Sequence, residues 1–297
     1  MNLRTFTVVL GILASIVTWS YFSTIAKAAD RWQTDIQYSH GWLIPVFALY
    51  LLWHRRELLI GQSLEPSWWS MPFLMVAIAL RWIEVRYSYN APDALSMTPM
   101  FLGLFLAVGG WPAFRWGWPA ALFLMFMVPL PYMLHTGMST QLQALATTMS
   151  TFTLQTFGLP AVAEGTQIMI NDGRVSVAEA CSGLGMIVTF AALSTAVIML
   201  VSSPWWVKVG LLLGALPVSL ICNVVRISTV GAFKYAGFSL ETVDTVHEVV
   251  GYLMILLGCG LIFVELYVLE RIVIAQDGTR ADDIPLPLPY GATFKPV

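Results

Sequence analysis

Long apolar stretches recur along this chain, and they leave it few ways to fold. Residues 5–26 contain no Asp, Glu, Lys or Arg, and a helix needs about 20 largely apolar residues to cross a bilayer. About eight such spans are expected, near residues 5–26, 41–53, 68–85, 97–111, 117–134, 182–202, 205–227 and 247–269. The balance of residue types agrees. Charged residues make up 11% and hydrophobic ones 58%, where a soluble domain carries about 25% charged residues. Twelve tryptophans and sixteen phenylalanines suit aromatic belts at the two membrane surfaces. The expected fold class is therefore an all-α polytopic membrane protein. Residues 1–275 read as one integral-membrane domain, followed by an extended, mobile cytoplasmic tail over 276–297 with Pro285, Pro287 and Pro289. A net charge of −2 gives no reason to expect a nucleic-acid partner. The bilayer itself is the expected one.

The spans differ in character. The second and fourth are short, and Gly103, Gly109 and Gly110 in the fourth permit close packing. The third ends in Arg81, Glu84 and Arg86, which should face protein or water rather than lipid. Arg4 and the Ala26-Lys27-Ala28 triplet allow a cleaved signal peptide, but the first stretch is long enough to stay as an anchor. The Arg55–Arg56 pair, placed inside, sets both termini in the cytoplasm. Whole-chain counting supports this only narrowly, at about eight basic residues inside against seven outside. The connection over 135–181 then lies outside. Leu142, Leu145, Met149 and Phe152 recur there at helical spacing between polar residues, which predicts an amphipathic helix at the interface. Two β-prone runs, 166–170 and 174–177, flank Asn171-Asp172-Gly173, the signal of a short β-hairpin.

Chemistry concentrates where three apolar runs meet polar loops. Cys181 precedes the sixth span, where free backbone N–H groups and the helix dipole favour a thiolate. The amides of Ser182 and Gly183 are placed to hold an oxyanion, and Glu179 stands just upstream. Arg226 closes the seventh span, with Asn223 one turn earlier on the same face. His247 opens the eighth, and imidazole suits proton transfer from a thiol to a leaving amine. Asp244, three residues before, would orient it if the helix already includes that position. With alternating spans all three ends face outward, which points to nucleophilic acyl transfer. Each residue alone has a plain structural reading: a packing cysteine, a snorkelling arginine, a polar residue at an interface. Cys222 and Cys259 lie inside apolar runs and read as small buried hydrophobes. The segment from His247 to Gly251 misses the zinc motif H-E-x-x-H because Gly251 replaces the second histidine. His40, His135 and His247 give no metal-ligand spacing. No metal or cofactor is expected, and His40 reads better as a substrate contact or helix cap.

These residues resemble the exosortase/archaeosortase family. The resemblance rests on Ala180-Cys181-Ser182-Gly183-Leu184, on Asn223-x-x-Arg226 and on His247. It extends to Asp35-x-x-Tyr38-Ser39-His40-Gly41-Trp42-Leu43-Ile44-Pro45, with Leu51-Leu52-Trp53 and Arg55-Arg56 following, and to Val128-Pro129-Leu130-Pro131, Leu142-Gln143 and Ala146-Thr147. It implies a multi-span cysteine protease or transpeptidase with Cys181, Arg226 and His247 as its catalytic trio. It also implies membrane-anchored protein substrates bearing a C-terminal sorting signal (a Pro-Glu-Pro-type motif, an apolar helix and a basic end) and an acceptor nucleophile of unknown identity, lipid- or polysaccharide-linked. Gly185 stands where many relatives carry arginine, so the subgroup and its signal variant stay open. The rival reading is a transporter or flippase without covalent chemistry. The Gly210-x-x-x-Gly214 pair and the charges at Arg81, Glu84 and Arg86 suit it.

Overall fold

The apolar runs become helices in the computed structural model, which describes residues 1–34, 36–87, 90–128, 132–170, 173–176 and 183–274. The expected tail, 276–297, lies outside the described residues. The chain forms two units, Met1–Pro131 and Tyr132–Val297. Among the described residues, four helical segments are long and apolar enough to cross a membrane: Leu3–Ser20, Pro92–Met127, Trp205–Tyr235 and Glu241–Ile272. These segments agree with an all-α membrane protein, and the expected number of eight spans goes beyond them. The second and sixth expected spans are helices of only 12 and 17 residues, and the third, of 18 residues, carries Arg81, Glu84 and Arg86.

In the first unit, α1 (Leu3–Ser20) starts on an Asn2 cap, whose side chain accepts the Thr5 N–H at 2.8 Å. The uncharged run continues to Ala26, but the helix breaks at Tyr21 and α2 (Phe22–Thr34) begins. The break has a cause in α4 (Ser70–Tyr87). Arg81 donates to the Ser20 carbonyl at 2.9 Å and lies 4.1 Å over the Tyr21 ring, while the Tyr21 hydroxyl pairs with Ser96 at 2.7 Å. Arg81 also pairs with Asp93 at 2.9 Å, Thr24 donates to the same carboxylate, and Glu84 accepts the Asp93 N–H at 2.9 Å. The third expected span thus turns Arg81 and Glu84 toward protein, as its charges required. α3 (Leu43–His54) follows a 3₁₀ turn, Ile36–Trp42.

α5 (Asn90–Phe123) is two helices in one run. Gly110 adopts φ 63°, ψ −151°, and the chain reverses there. Thr98 donates to the Ala121 carbonyl at 3.2 Å, and the rings of Phe105 and Trp116 are 5.6 Å apart. In a straight helix the Thr98–Ala121 separation would be about 34 Å. The fourth and fifth expected spans are the two limbs of this hairpin, the second ending at Phe123 and continuing as a 3₁₀ turn, Leu124–Met127. A side chain at Gly110 would overlap the Glu65 carbonyl, so backbone angle and space both demand glycine.

In the second unit, α6 (Tyr132–Thr156) is the expected amphipathic helix turned round. Ser139, Ala146, Thr147, Ser150 and Leu154 are buried, while Leu145, Met149 and Phe152 are exposed. Its small and hydroxylic face packs on protein, leaving the bulky apolar face outward. A three-stranded antiparallel sheet follows: β1 (Ala161–Glu164), β2 (Gln167–Ile170) and β3 (Gly173–Ser176). β2 and β3 are the expected hairpin, with Ile170 opposite Gly173. β1 is an addition, joined to β2 through Gly165 at φ 62°. Ile168 and Ile170 bury against Ala146, Leu154 and Ile227.

α7 (Leu184–Leu200), α8 (Trp205–Tyr235) and α9 (Leu240–Ile274) complete this unit. α8 and α9 run antiparallel: Gly210 meets Leu269, Gly214 meets Glu265 and Gly251 meets Arg226. Phe190 of α7 fills the space over Gly258. Both long helices overrun their expected ends. α8 continues nine residues past Arg226, because Ile227, Ser228, Val230 and Gly231 are buried against the unit. α9 starts at Leu240, where the Ser239 hydroxyl accepts the Thr242 N–H at 3.3 Å. Arg226 therefore does not close a helix and His247 does not open one.

Candidate functional site

Asn223 and Arg226 lie one turn apart on the buried face of α8, in a row with Ser219, Cys222, Ile227 and Val230. Arg226 is only 3% exposed and Asn223 1%. A guanidinium cannot shed its charge to suit such a place, so the neighbouring helix has to make room for it. α9 does so with Gly251. A Cβ built there would stand 3.4 Å from Arg226 Nη2 and 3.5 Å from Cζ, an ordinary contact, so the guanidinium packs beside α9 at this position. One turn earlier on the same face stands His247, half-buried, with its Nδ1 3.3 Å from Arg226 Nη2. His247 and Gly251 are four residues apart, and that spacing puts them on one stripe of α9.

The third element is the start of α7. Gly183 takes the N-cap position with φ 83°, ψ −5°, a left-handed conformation that favours glycine. A Cβ there would meet Asn223 Nδ2 at 3.0 Å and Cγ at 3.3 Å. Asn223 thus touches the turn that opens α7, while Arg226, one turn on, reaches α9. Gly183, Asn223, Arg226, His247 and Gly251 form one constellation drawn from three helices.

The expected residues fall as follows. Arg226, Asn223, His247 and Gly183 come together. Cys181, Glu179 and Ser182 lie outside the described residues. Asp244 is exposed, three residues before His247, and α9 already includes it, which meets the condition for it to share the His247 face. His40 belongs to the first unit, in the 3₁₀ turn Ile36–Trp42, where its ring stacks with Tyr38 at 6.4 Å. His135 sits in the first turn of α6. Cys222 is a buried free thiol and Cys259 a half-buried one. Gly251 is the residue that the sequence reading undervalued. It entered only as the position that spoils a zinc motif, yet a glycine four residues after a histidine marks a place where another helix can lay a large side chain.

Comparison with known proteins adds one finding. A family profile described as "Transmembrane exosortase" matches residues 32–264. The match includes every residue of the constellation and the segment 177–182. Neither a curated protein sequence nor a solved structure matches the chain.

Proposed function

The chain belongs to the transmembrane exosortase family, and from that premise we propose that it is a membrane-embedded cysteine protease or transpeptidase acting on exported proteins that carry a C-terminal sorting signal. The observation that carries this reading is the convergence of Arg226, His247 and Asn223 beside Gly183, two residues along the chain from Cys181. Two residues of chain reach at most about 7 Å, which supports including Cys181 in this reading. In this reading Cys181 attacks the carbonyl of the scissile peptide and forms a thioester. Arg226 supplies the positive charge that favours the thiolate and then the oxyanion. His247 moves the protons. Asn223 steadies the turn at Gly183, and Ser182 and Gly183 offer backbone N–H groups to the oxyanion. The site faces the extracytoplasmic side. An acceptor nucleophile, or water, resolves the thioester.

The rival reading as a transporter drew on Arg81, Glu84 and Arg86. The pairing of Arg81 with Asp93, Ser20 and Tyr21 gives Arg81 a structural occupation instead. The test is co-expression with a signal-bearing substrate. Cys181→Ala and Cys181→Ser are both expected to abolish processing, and processing by either variant would remove Cys181 as nucleophile. Mass analysis of the processed substrate's new C-terminus then separates transfer, which adds mass, from hydrolysis, which leaves a free carboxylate.

A further inference from the structure

The contact between Arg226 and His247 fixes more than their distance. A guanidinium has N–H donors and no acceptor. At 3.3 Å from Arg226 Nη2, His247 Nδ1 is the acceptor and therefore holds a lone pair. A cation at that distance also opposes a second proton on the ring. Gly251 of α9 lies beside the guanidinium, and a Cβ there would make ordinary contact with it at 3.4–3.6 Å. We infer that His247 rests as a neutral imidazole with its proton on Nε2 and that Arg226 selects this tautomer.

This deepens the proposed reading and rests on it for its chemical consequence. The two ring nitrogens enter the reaction with different duties. As the Cys181 S–H bond breaks and a C–S bond forms at the substrate carbonyl, the thiol proton goes to Nδ1, and Arg226 passes its hydrogen bond from that nitrogen to the new negative charge. The scissile C–N bond breaks, and the departing nitrogen takes the proton from Nε2. His247 ends neutral with its proton on Nδ1. When water or a hydroxyl or amine acceptor attacks the thioester, its proton goes to Nε2 and the Nδ1 proton returns to sulfur, which restores the starting tautomer.

The tautomer is directly observable. The full-length protein, labelled with ¹⁵N-histidine and placed in lipid nanodiscs, contains four histidines, and His247→Gln identifies the signal of His247. At neutral pH the Nε2–H form is expected to exceed the Nδ1–H form at least about tenfold, the bias of a charge-assisted hydrogen bond. Arg226→Met is expected to remove that bias. Arg226→Lys, which retains a charged donor, is expected to keep most of it. A wild-type His247 that is doubly protonated or mainly Nδ1–H overturns the assignment even if the variants fail to fold. An unchanged ratio in a folded Arg226→Met overturns the role of Arg226. The spectrum of Cys181→Ala separates the two claims: it keeps the Nε2–H signal whether or not Cys181 proves to be the nucleophile.

Discussion

Asn223 is the residue whose change isolates positioning from chemistry. Its amide lies against the turn at Gly183 and its side chain is buried. Asn223→Ala removes that contact without touching the charge of Arg226. A misplacement of about 1 Å near a reacting group costs about 100-fold, so processing of a co-expressed substrate is expected to fall about 10- to 100-fold with protein levels maintained. A variant that processes at the wild-type rate would show that the turn holds itself. At this scale the sequence announced Arg226, Asn223 and His247 through residue type and through their places along apolar runs. It did not announce Gly251, because a glycine signals only that something else needs the space. That something lay on another helix, 25 residues away in the chain.

Helix boundaries were the least legible feature at the scale of elements. The expected ends at Arg226 and His247 assumed that a charged or polar residue marks a membrane surface. The chain instead buries both inside long helices and turns at Gly237, with Ser239 capping α9. Ser239→Ala is expected to cost about 0.5–2 kcal/mol of local stability, visible as faster amide hydrogen exchange at Thr242 and Val243 with the rest of α9 unchanged. β1 escaped notice because Ala161, Ala163 and Glu164 are weak strand formers, and only Gly165 betrayed the turn. The two limbs of the α5 hairpin were expected as separate spans, and the hinge between them was read as packing. Gly110→Ala should therefore do more than loosen a contact. The left-handed backbone alone costs about 1–3 kcal/mol, and the added methyl overlaps Glu65. A lower melting temperature in detergent is expected, with no compensating gain from a Gly109→Ala change in the same hinge.

The sequence was most informative at the scale of the whole molecule, on the one point that composition governs: this chain keeps its bulk apolar surface outward. Trp19, Val76, Ile78 and Trp82 in the first unit are exposed, as are Leu213, Leu256 and Val264 in the second. Helical periodicity found α6 but not which face would be buried, since in lipid small and hydroxylic residues pack together and large apolar ones do not need to hide. Orientation rests on Arg55 and Arg56 and is open to a direct check. A membrane-impermeant thiol reagent should label Glu164→Cys in intact cells, whereas Gln62→Cys should react only after permeabilisation; the opposite pattern would invert the topology.

The overrun of α8 and α9 has a kinetic meaning. α9 begins seven residues before His247 and α8 ends nine after Arg226, so the pair sits about 10 Å down a helical wall on either side. Arg226 is almost fully buried there, and the field of a guanidinium so placed is little screened. On the proposed chemistry, an acyl-enzyme beside this pair would form below the helix ends rather than at them. Its partition between transfer and hydrolysis would then depend on which nucleophile reaches that level first.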